Sequence, residues 1–184
     1  MNWWTQARSR LMRMSEPDTP LGPTHQTDDE HRRFVLTYVQ PGLVGLMDGS
    51  VSTLAPIFAA AFATRDPWKT FLVGLAASVG AGISMAFAEA LSDDGKVSGR
   101  GSPWARGWVC GGMTAIGGLG HTFPFLIPQF TPALITAMIV VALELVVIAW
   151  IRKRWMGTPF WTASLQVIVG GAIVFALGIM IGSL

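Results

Sequence analysis

The sequence predicts an all-α membrane protein with five transmembrane helices. Hydrophobic residues make up 51% of the chain, and the 13% that are charged lie at the ends and in short loops. Apolar stretches also recur at about 20 residues or more, the length that a helix needs to cross the hydrocarbon core of a bilayer. With 184 residues, the chain is long enough for one domain.

The N-terminal part is predicted to lie in the cytoplasm and at the membrane surface. Residues 1–24 form a predicted mobile cytoplasmic tail, because their arginines are not followed by the apolar core of a signal peptide. Residues 25–184 form the predicted transmembrane domain. It begins with a short amphipathic surface helix, since Thr27 and Glu30 have capping-box spacing and precede an apolar run that starts at Phe34.

Five apolar segments follow, and each is long enough to span a bilayer. They cover residues 37–64, 68–91, 105–130, 132–151 and 160–184. All but two of the 13 Lys and Arg residues lie in the N-terminal segment, the second loop and the fourth loop. This distribution places the N-terminus in the cytoplasm and the C-terminus outside. The tryptophans near the span ends are predicted interfacial anchors: Trp68, Trp104, Trp108, Trp150, Trp155 and Trp161.

Polar side chains inside the predicted spans indicate a function. At a helical rise of about 1.5 Å per residue, Asp48, Met85 and Glu144 lie about 12 to 15 Å from the cytoplasmic boundary. Glu89 lies one turn nearer the cytoplasm. A charged side chain in the membrane costs about 2.5 to 3.5 kcal/mol on insertion scales, so carboxylates at one depth indicate a path for cations or protons. The thioether of Met85 is a soft donor, which favours Fe²⁺ or Mn²⁺ over Mg²⁺ or Ca²⁺.

Each of these residues also has a structural interpretation. Glu89 could be a hydrogen-bond anchor between helices, and Met85 taken alone could be core packing. Glu144 could carry a proton that comes and goes, or it could stay protonated and hydrogen-bond a neighbouring helix. For Asp48, no Lys or Arg away from the span ends is available to neutralise the charge, and Gly49 lets another backbone or an ion approach closely.

Several short stretches, in this order and spacing, resemble the vacuolar iron transporter family. The resemblance is closest to the membrane domain of its membrane-bound ferritin type, which joins an erythrin domain to a vacuolar iron transport domain. The stretches are Glu30-His31-Arg32, Met47-Asp48-Gly49, Gly82-Ile83-Ser84-Met85 and Pro124-Phe125-Leu126-Ile127-Pro128. The resemblance implies a homodimer with a metal path at the subunit interface, export of Fe²⁺ in exchange for protons, and Asp48 and Met85 as path residues.

Two departures from the family pattern concern the metal ligands. Ala77 stands where eukaryotic members have an acidic residue two turns before the methionine, so Glu89 or Glu144 is expected to complete the ligand set. The sequence also shows neither a Glu-rich cytoplasmic hairpin nor a ferritin-like domain. Metal capture from the cytoplasm is then expected to fall to Asp28, Asp29, Glu30 and His31, with Asp93 and Asp94 opposite. Delivery by a separate ferritin-like protein stays open.

The predicted function is export of Fe²⁺ and/or Mn²⁺ from the cytosol, by proton antiport, across a bacterial inner (plasma) membrane. The chain is expected to be a transporter and not an enzyme, with metal ions, protons, the lipid bilayer and a second copy as partners. Neither nucleic acid nor a permanently bound cofactor is expected.

Other classes fit the residues less well. A membrane di-iron oxidase needs more than the three histidines present. A serine protease that paired Ser84 with His121 is opposed by their different predicted depths. A non-transporting membrane assembly or anchor subunit stays the alternative, since seams of small residues would serve either purpose.

Overall fold

A computed structural model describes residues 23–96, 98–156 and 160–184, without the side chains of 23–28, 156, 160, 162–164 and 166–167. The predicted tail therefore lies outside the described residues except for its last two. Tertiary contacts divide the chain into two units, Met1–Arg32 and Arg33–Leu184. Every regular element in the described ranges is helical, so the predicted all-α class is confirmed.

The first helix begins earlier than the capping box predicted. Helix α1 runs over Pro23–Phe34, so Thr27 lies inside the helix and not at its N-cap. Proline is favoured in the first turn, because its ring fixes φ and the N–H it lacks would have no helical partner there. A π-helical turn, Val35–Val39, leads directly into α2, Gln40–Ser52, without the end that a distinct surface helix would require.

The predicted first span is interrupted at Thr53. Helix α2 ends at the preceding residue, and α3 runs over Leu54–Thr64. Pro56, in the first turn of α3, has no N–H to donate to the carbonyl of Ser52, which favours the interruption. The Thr53 hydroxyl donates a 2.7 Å hydrogen bond to the carbonyl of Gly49. The break therefore lies just beyond the residues around Asp48.

Four further helices correspond to the remaining predicted spans. They are α4, Pro67–Ala90; α5, Pro103–Thr122; α6, Phe130–Met156; and α7, Phe160–Gly182. Within the third predicted span, 105–130, the α-helix ends at Thr122. After Thr122 the chain forms a 3₁₀ turn, Phe123–Leu126, because Pro124 and Pro128 lack the N–H that a continuing α-helix needs.

Three helices among the described residues are long and apolar enough to cross a membrane: Asp29–Thr64, Pro67–Ala90 and Phe130–Trp155. Helix α7 contains a shorter apolar stretch, Ile168–Gly182. The six tryptophans predicted as interfacial anchors are all exposed on the protein. The predicted count of five spans and their orientation stay predictions.

Helix α5 packs against both α2 and α4, while α3 packs against α7. At glycine positions the backbone of α5 lies directly against the backbones of α2 and α4. A Cβ atom at Gly49 of α2 would collide with the carbonyl of Thr114, and one at Gly111 of α5 would collide with that of Gly82. Small residues let membrane helices approach this closely. The approach of another backbone to Gly49, one of the two predicted possibilities, is therefore confirmed.

Gly111→Ala should destabilise the fold, because the added methyl group would meet a carbonyl of α4. Overpacking of this kind costs about 1 to 3 kcal/mol. Gly112→Ala is the matched control: no atom lies within 4 Å of a Cβ built there, and alanine is favoured over glycine in a helix by about 1 kcal/mol. Thermal unfolding in detergent should show a lower Tm for the first variant alone. Equal Tm values would contradict the backbone contact.

Candidate functional site

Glu89, near the end of α4, is bound by two arginines. Its Oε1 atom accepts from Nη2 of Arg100 at 2.7 Å and from Nε of Arg106 at 2.9 Å. Asp93 completes the group, with Oδ2 lying 3.3 Å from Nη1 of Arg100 and 3.1 Å from Nη2 of Arg106. The Arg106 side chain is fully buried. Two carboxylates thus offset the cost of removing its charge from water.

Asp93 is held in the loop that follows α4. Its Oδ1 atom accepts from the backbone N–H of Gly95 at 2.5 Å and from the Ser98 hydroxyl at 3.0 Å. Loss of contact with water raises the pKa of Asp93, but these hydrogen bonds and the charges of Arg106 and Arg100 outweigh it and leave that pKa lowered. The carboxylate is therefore kept ionised beside the arginines.

A second polar group lies at the end of α5. Nδ1 of His121 is 3.1 Å from Oε2 of Glu144 in α6, and Nε2 is 2.9 Å from Oγ1 of Thr53. His121 and Thr53 are both buried. The other carboxyl oxygen, Oε1, lies over Gly120, where a Cβ would collide with it. This group joins α5, α6 and the break between α2 and α3.

The contact between His121 and Glu144 corrects one predicted depth. Glu144 was predicted at the level of Asp48, and His121 in the outer half of the membrane. The two side chains meet beside Thr53, which lies five residues further along the chain than Asp48. Glu144 therefore shares the level of His121 and not that of Asp48. Its depth was counted from Arg152, whereas α6 continues as a helix through Met156.

Asp48 has a different environment from the other two carboxylates. It is half-buried on α2, and its Oδ2 atom receives only a long contact, 3.5 Å, from the Ser52 hydroxyl. No cationic side chain in the described part of the chain pairs with it. Met85 is half-buried on α4. In the same ranges, no cluster of three or more His, Cys, Asp or Glu side chains is arranged to hold a metal.

A scan against protein-family models matches residues 89–183 to the VIT family, slightly more than half of the chain. The chain belongs to the VIT family. No curated protein and no solved structure matches it. The resemblance to vacuolar iron transporters is thus confirmed. The matched part of this VIT-family chain contains α5, α6 and α7, with His121 and Glu144. Asp48 and Met85 lie before it.

The residues predicted to capture metal from the cytoplasm belong to the first unit of this VIT-family chain. Asp29, Glu30 and His31 are exposed on α1. The side chain of Asp28 lies outside the described residues. Their role in collecting metal stays a prediction.

Sequence reasoning missed three residues of these groups. Arg106 was counted as a loop cation, but it lies in the first turn of α5 and is fully buried. No sequence pattern around Thr53 indicated that it would belong to a polar group. His121 did carry a signal: it is the histidine within a predicted span, and a buried imidazole needs a hydrogen-bond partner. Glu144 in the next span was an available partner.

Glu89→Gln should destabilise this VIT-family protein, because it removes one of two negative charges beside the buried Arg106. Removing one partner of a buried ion pair costs about 3 to 5 kcal/mol, and Asp93 should keep the loss near the lower figure. Thermal unfolding in detergent measures it. Asp94→Asn is the control, since Asp94 is exposed and the amide oxygen can still accept from the backbone N–H of Lys96. A Glu89→Gln protein as stable as its parent would mean that the ion pairs contribute little.

Proposed function

We propose that this VIT-family chain exports a divalent transition metal, Fe²⁺ and/or Mn²⁺, from the cytosol by proton antiport. The observation that carries the proposal is the unpaired carboxylate of Asp48. Glu89 contacts two arginines and Glu144 contacts a histidine, whereas Asp48 has no cationic partner among the side chains that the structure describes. A membrane carboxylate without a compensating charge is costly. A metal ion passing Asp48 would supply that charge.

Asp48 and Met85 are the proposed metal ligands. A carboxylate oxygen and a thioether sulfur together suit Fe²⁺ or Mn²⁺ better than Mg²⁺ or Ca²⁺. Glu89 and Glu144, which the sequence grouped with them, are left out of the proposed metal site. Each has an oxygen committed to a nitrogen of an arginine or of a histidine. Within one chain, therefore, neither glutamate is proposed to replace the acidic residue that eukaryotic members have at the position of Ala77.

A homodimer would bring a second set of ligands to this site. Four small residues recur at every fourth position along α4, and all four are exposed: Ala76, Gly80, Ser84 and Ala88. Small residues at this spacing allow close approach of membrane helices. Met85 directly follows Ser84, so a second copy seated on this stripe would lie beside the proposed metal ligand. The stripe therefore supports the dimer that the family resemblance implies.

The proposed arrangement in the membrane has five spans and a cytoplasmic N-terminus. It is supported by the distribution of Lys and Arg, nearly all of which lie on one side of the proposed spans. The acidic and histidine side chains of α1, Asp28 to His31, would then collect metal in the cytoplasm. We place the protein in a bacterial inner (plasma) membrane.

Asp48→Asn should abolish metal movement in a protein that stays folded, because the amide keeps the shape of the side chain but loses its charge. Met85→Leu, close in volume and equally apolar, should weaken transport because it removes the sulfur donor. Uptake of Fe²⁺ and of Mn²⁺ into everted membrane vesicles that contain a pH dye measures both metal and proton movement.

Ser52→Ala is the matched control for this experiment. It removes the hydroxyl group next to Asp48 and leaves the carboxylate in place. Uptake at the parent's rate by Asp48→Asn would remove Asp48 from the path. An inserted, folded parent chain that moves neither metal would favour the alternative, a non-transporting assembly subunit.

Gly80→Leu should weaken dimerisation, because leucine would project from the small-residue stripe into the partner helix. Gly170→Leu on α7 is the control. No atom lies within 4 Å of a Cβ built at either glycine, so neither leucine should disturb the protomer. The molar mass of the purified protein in detergent, measured by light scattering, should fall for Gly80→Leu only. An unchanged mass would place the interface elsewhere.

A further inference from the structure

The hydrogen bonds around His121 hold its ring between two oxygen atoms. The Thr53 Oγ1 atom lies 2.7 Å from the carbonyl oxygen of Gly49 and 2.9 Å from His121 Nε2. The hydroxyl can donate to the bare Nε2 of one ring tautomer or accept from the protonated Nε2 of the other. In both cases the other ring nitrogen, Nδ1, faces Glu144.

The pair carries one uncompensated negative charge unless it binds a further proton. Nδ1 of His121 and Oε2 of Glu144 are 3.1 Å apart, and a neutral imidazole beside a carboxylate has a net charge of −1. With one proton added, the pair is either an imidazolium with a carboxylate or an imidazole with a carboxylic acid. Because His121 is fully buried and an uncompensated charge is costly away from water, the site favours binding that proton.

The helices around this pair offer no other cation to take the place of the proton. Helix α4 has no titratable residue between Lys69 and Glu89, and α7 has none. The remaining titratable residues on the neighbouring helices are Asp48 on α2, Arg106 and Cys110 on α5, and the basic residues that follow Glu144 on α6 by two turns, Arg152, Lys153 and Arg154. Arg106 is engaged by Glu89 and Asp93. The proton is therefore the charge that can balance Glu144.

We propose that His121 and Glu144 form a buried proton-binding site, separate from the metal ligands, and that Thr53 connects its occupancy to the helix that carries Asp48. The inference rests on the proposed metal–proton antiport and specifies where the exchanged proton binds. Gly120 leaves the space in which the carboxyl group of Glu144 lies.

The connection to Asp48 is short. Thr53 occupies the break between α2 and α3, and its hydroxyl bonds to the carbonyl of Gly49, the residue after Asp48. Loss of the proton changes the charge of the pair and the hydrogen-bonding roles open to the imidazole nitrogens, one of which contacts Thr53. Thr53 thereby links the protonation of the pair to the end of the helix that carries Asp48. By linkage, a metal at Asp48 and a proton at His121 change each other's affinity by the same factor.

Infrared difference spectroscopy of the purified full chain tests the site without any transport. Carboxyl and imidazole bands are recorded as the pH is raised in the absence of metal, since the proton resides on one group or the other. The parent and Asp48→Asn should share a titration that both Glu144→Gln and His121→Gln lose. The same titration in those two variants as in the parent would overturn the proposal. Two variants are used so that poor folding of one does not decide the result.

Thr53→Val tests the connection, because valine keeps the shape of threonine and lacks the hydroxyl. Adding Mn²⁺ should shift the midpoint of the titration in the parent. In Thr53→Val the pair should still titrate, but Mn²⁺ should no longer shift its midpoint. An equal shift in both proteins would overturn the role of Thr53.

Proteoliposomes that contain a pH dye separate this inference from the proposed function. Glu144→Gln and His121→Gln should still bind Mn²⁺ in detergent, whereas the proton movement that accompanies Mn²⁺ should fall to the level of empty liposomes. Proton movement at the parent's level would overturn the inference and leave metal export intact. A parent protein that moves no metal would overturn the proposed function, while the infrared titration would still decide whether the proton site exists.

Discussion

Backbone contact between α5 and its neighbours α2 and α4 determines where the intramembrane polar groups lie. Glycines such as Gly49 and Gly111 permit it, because a Cβ at either would collide with a carbonyl of the facing helix. Close approach brings Arg106, in the first turn of α5, to Glu89 near the end of α4. At its other end, the same helix places His121 beside the junction of α2 and α3. Side chains at these glycines would displace both groups.

Charge compensation then separates the three membrane carboxylates by role. Glu89 is paired with arginines in a group that includes a fully buried guanidinium, so its charge is balanced permanently. Glu144 contacts a histidine, and the charge proposed to balance it is a proton that can be lost. Asp48 has neither an arginine nor a histidine as its partner among the described side chains. In a medium where uncompensated charge is expensive, these differences favour a structural, a proton-binding and a metal-binding role, respectively.

The position of the break in the first span connects the last two roles. Thr53 keeps right-handed helical backbone angles, and Asp29–Thr64 form one long apolar helix whose hydrogen bonding is interrupted at this residue. Discontinuous helices in transporters commonly form substrate and ion sites. Pro56 contributes to the interruption from its place in the first turn of α3. The threonine hydroxyl ties the break to His121.

The sequence by itself determined the helical class and the approximate extent of each apolar helix, because these features depend on composition and on the order of residues along the chain. It also determined the family and which carboxylates lie within the apolar helices. It misplaced the start of α1, missed the break at Thr53 and put Glu144 and His121 at different depths. Only the tertiary structure decided which carboxylates are paired. Glu89 and Arg106 are 17 residues apart, His121 and Glu144 are 23 apart, and Thr53 and His121 are 68 apart. Such pairs form through helix packing, which depends on close contacts between distant glycines and not on any local pattern.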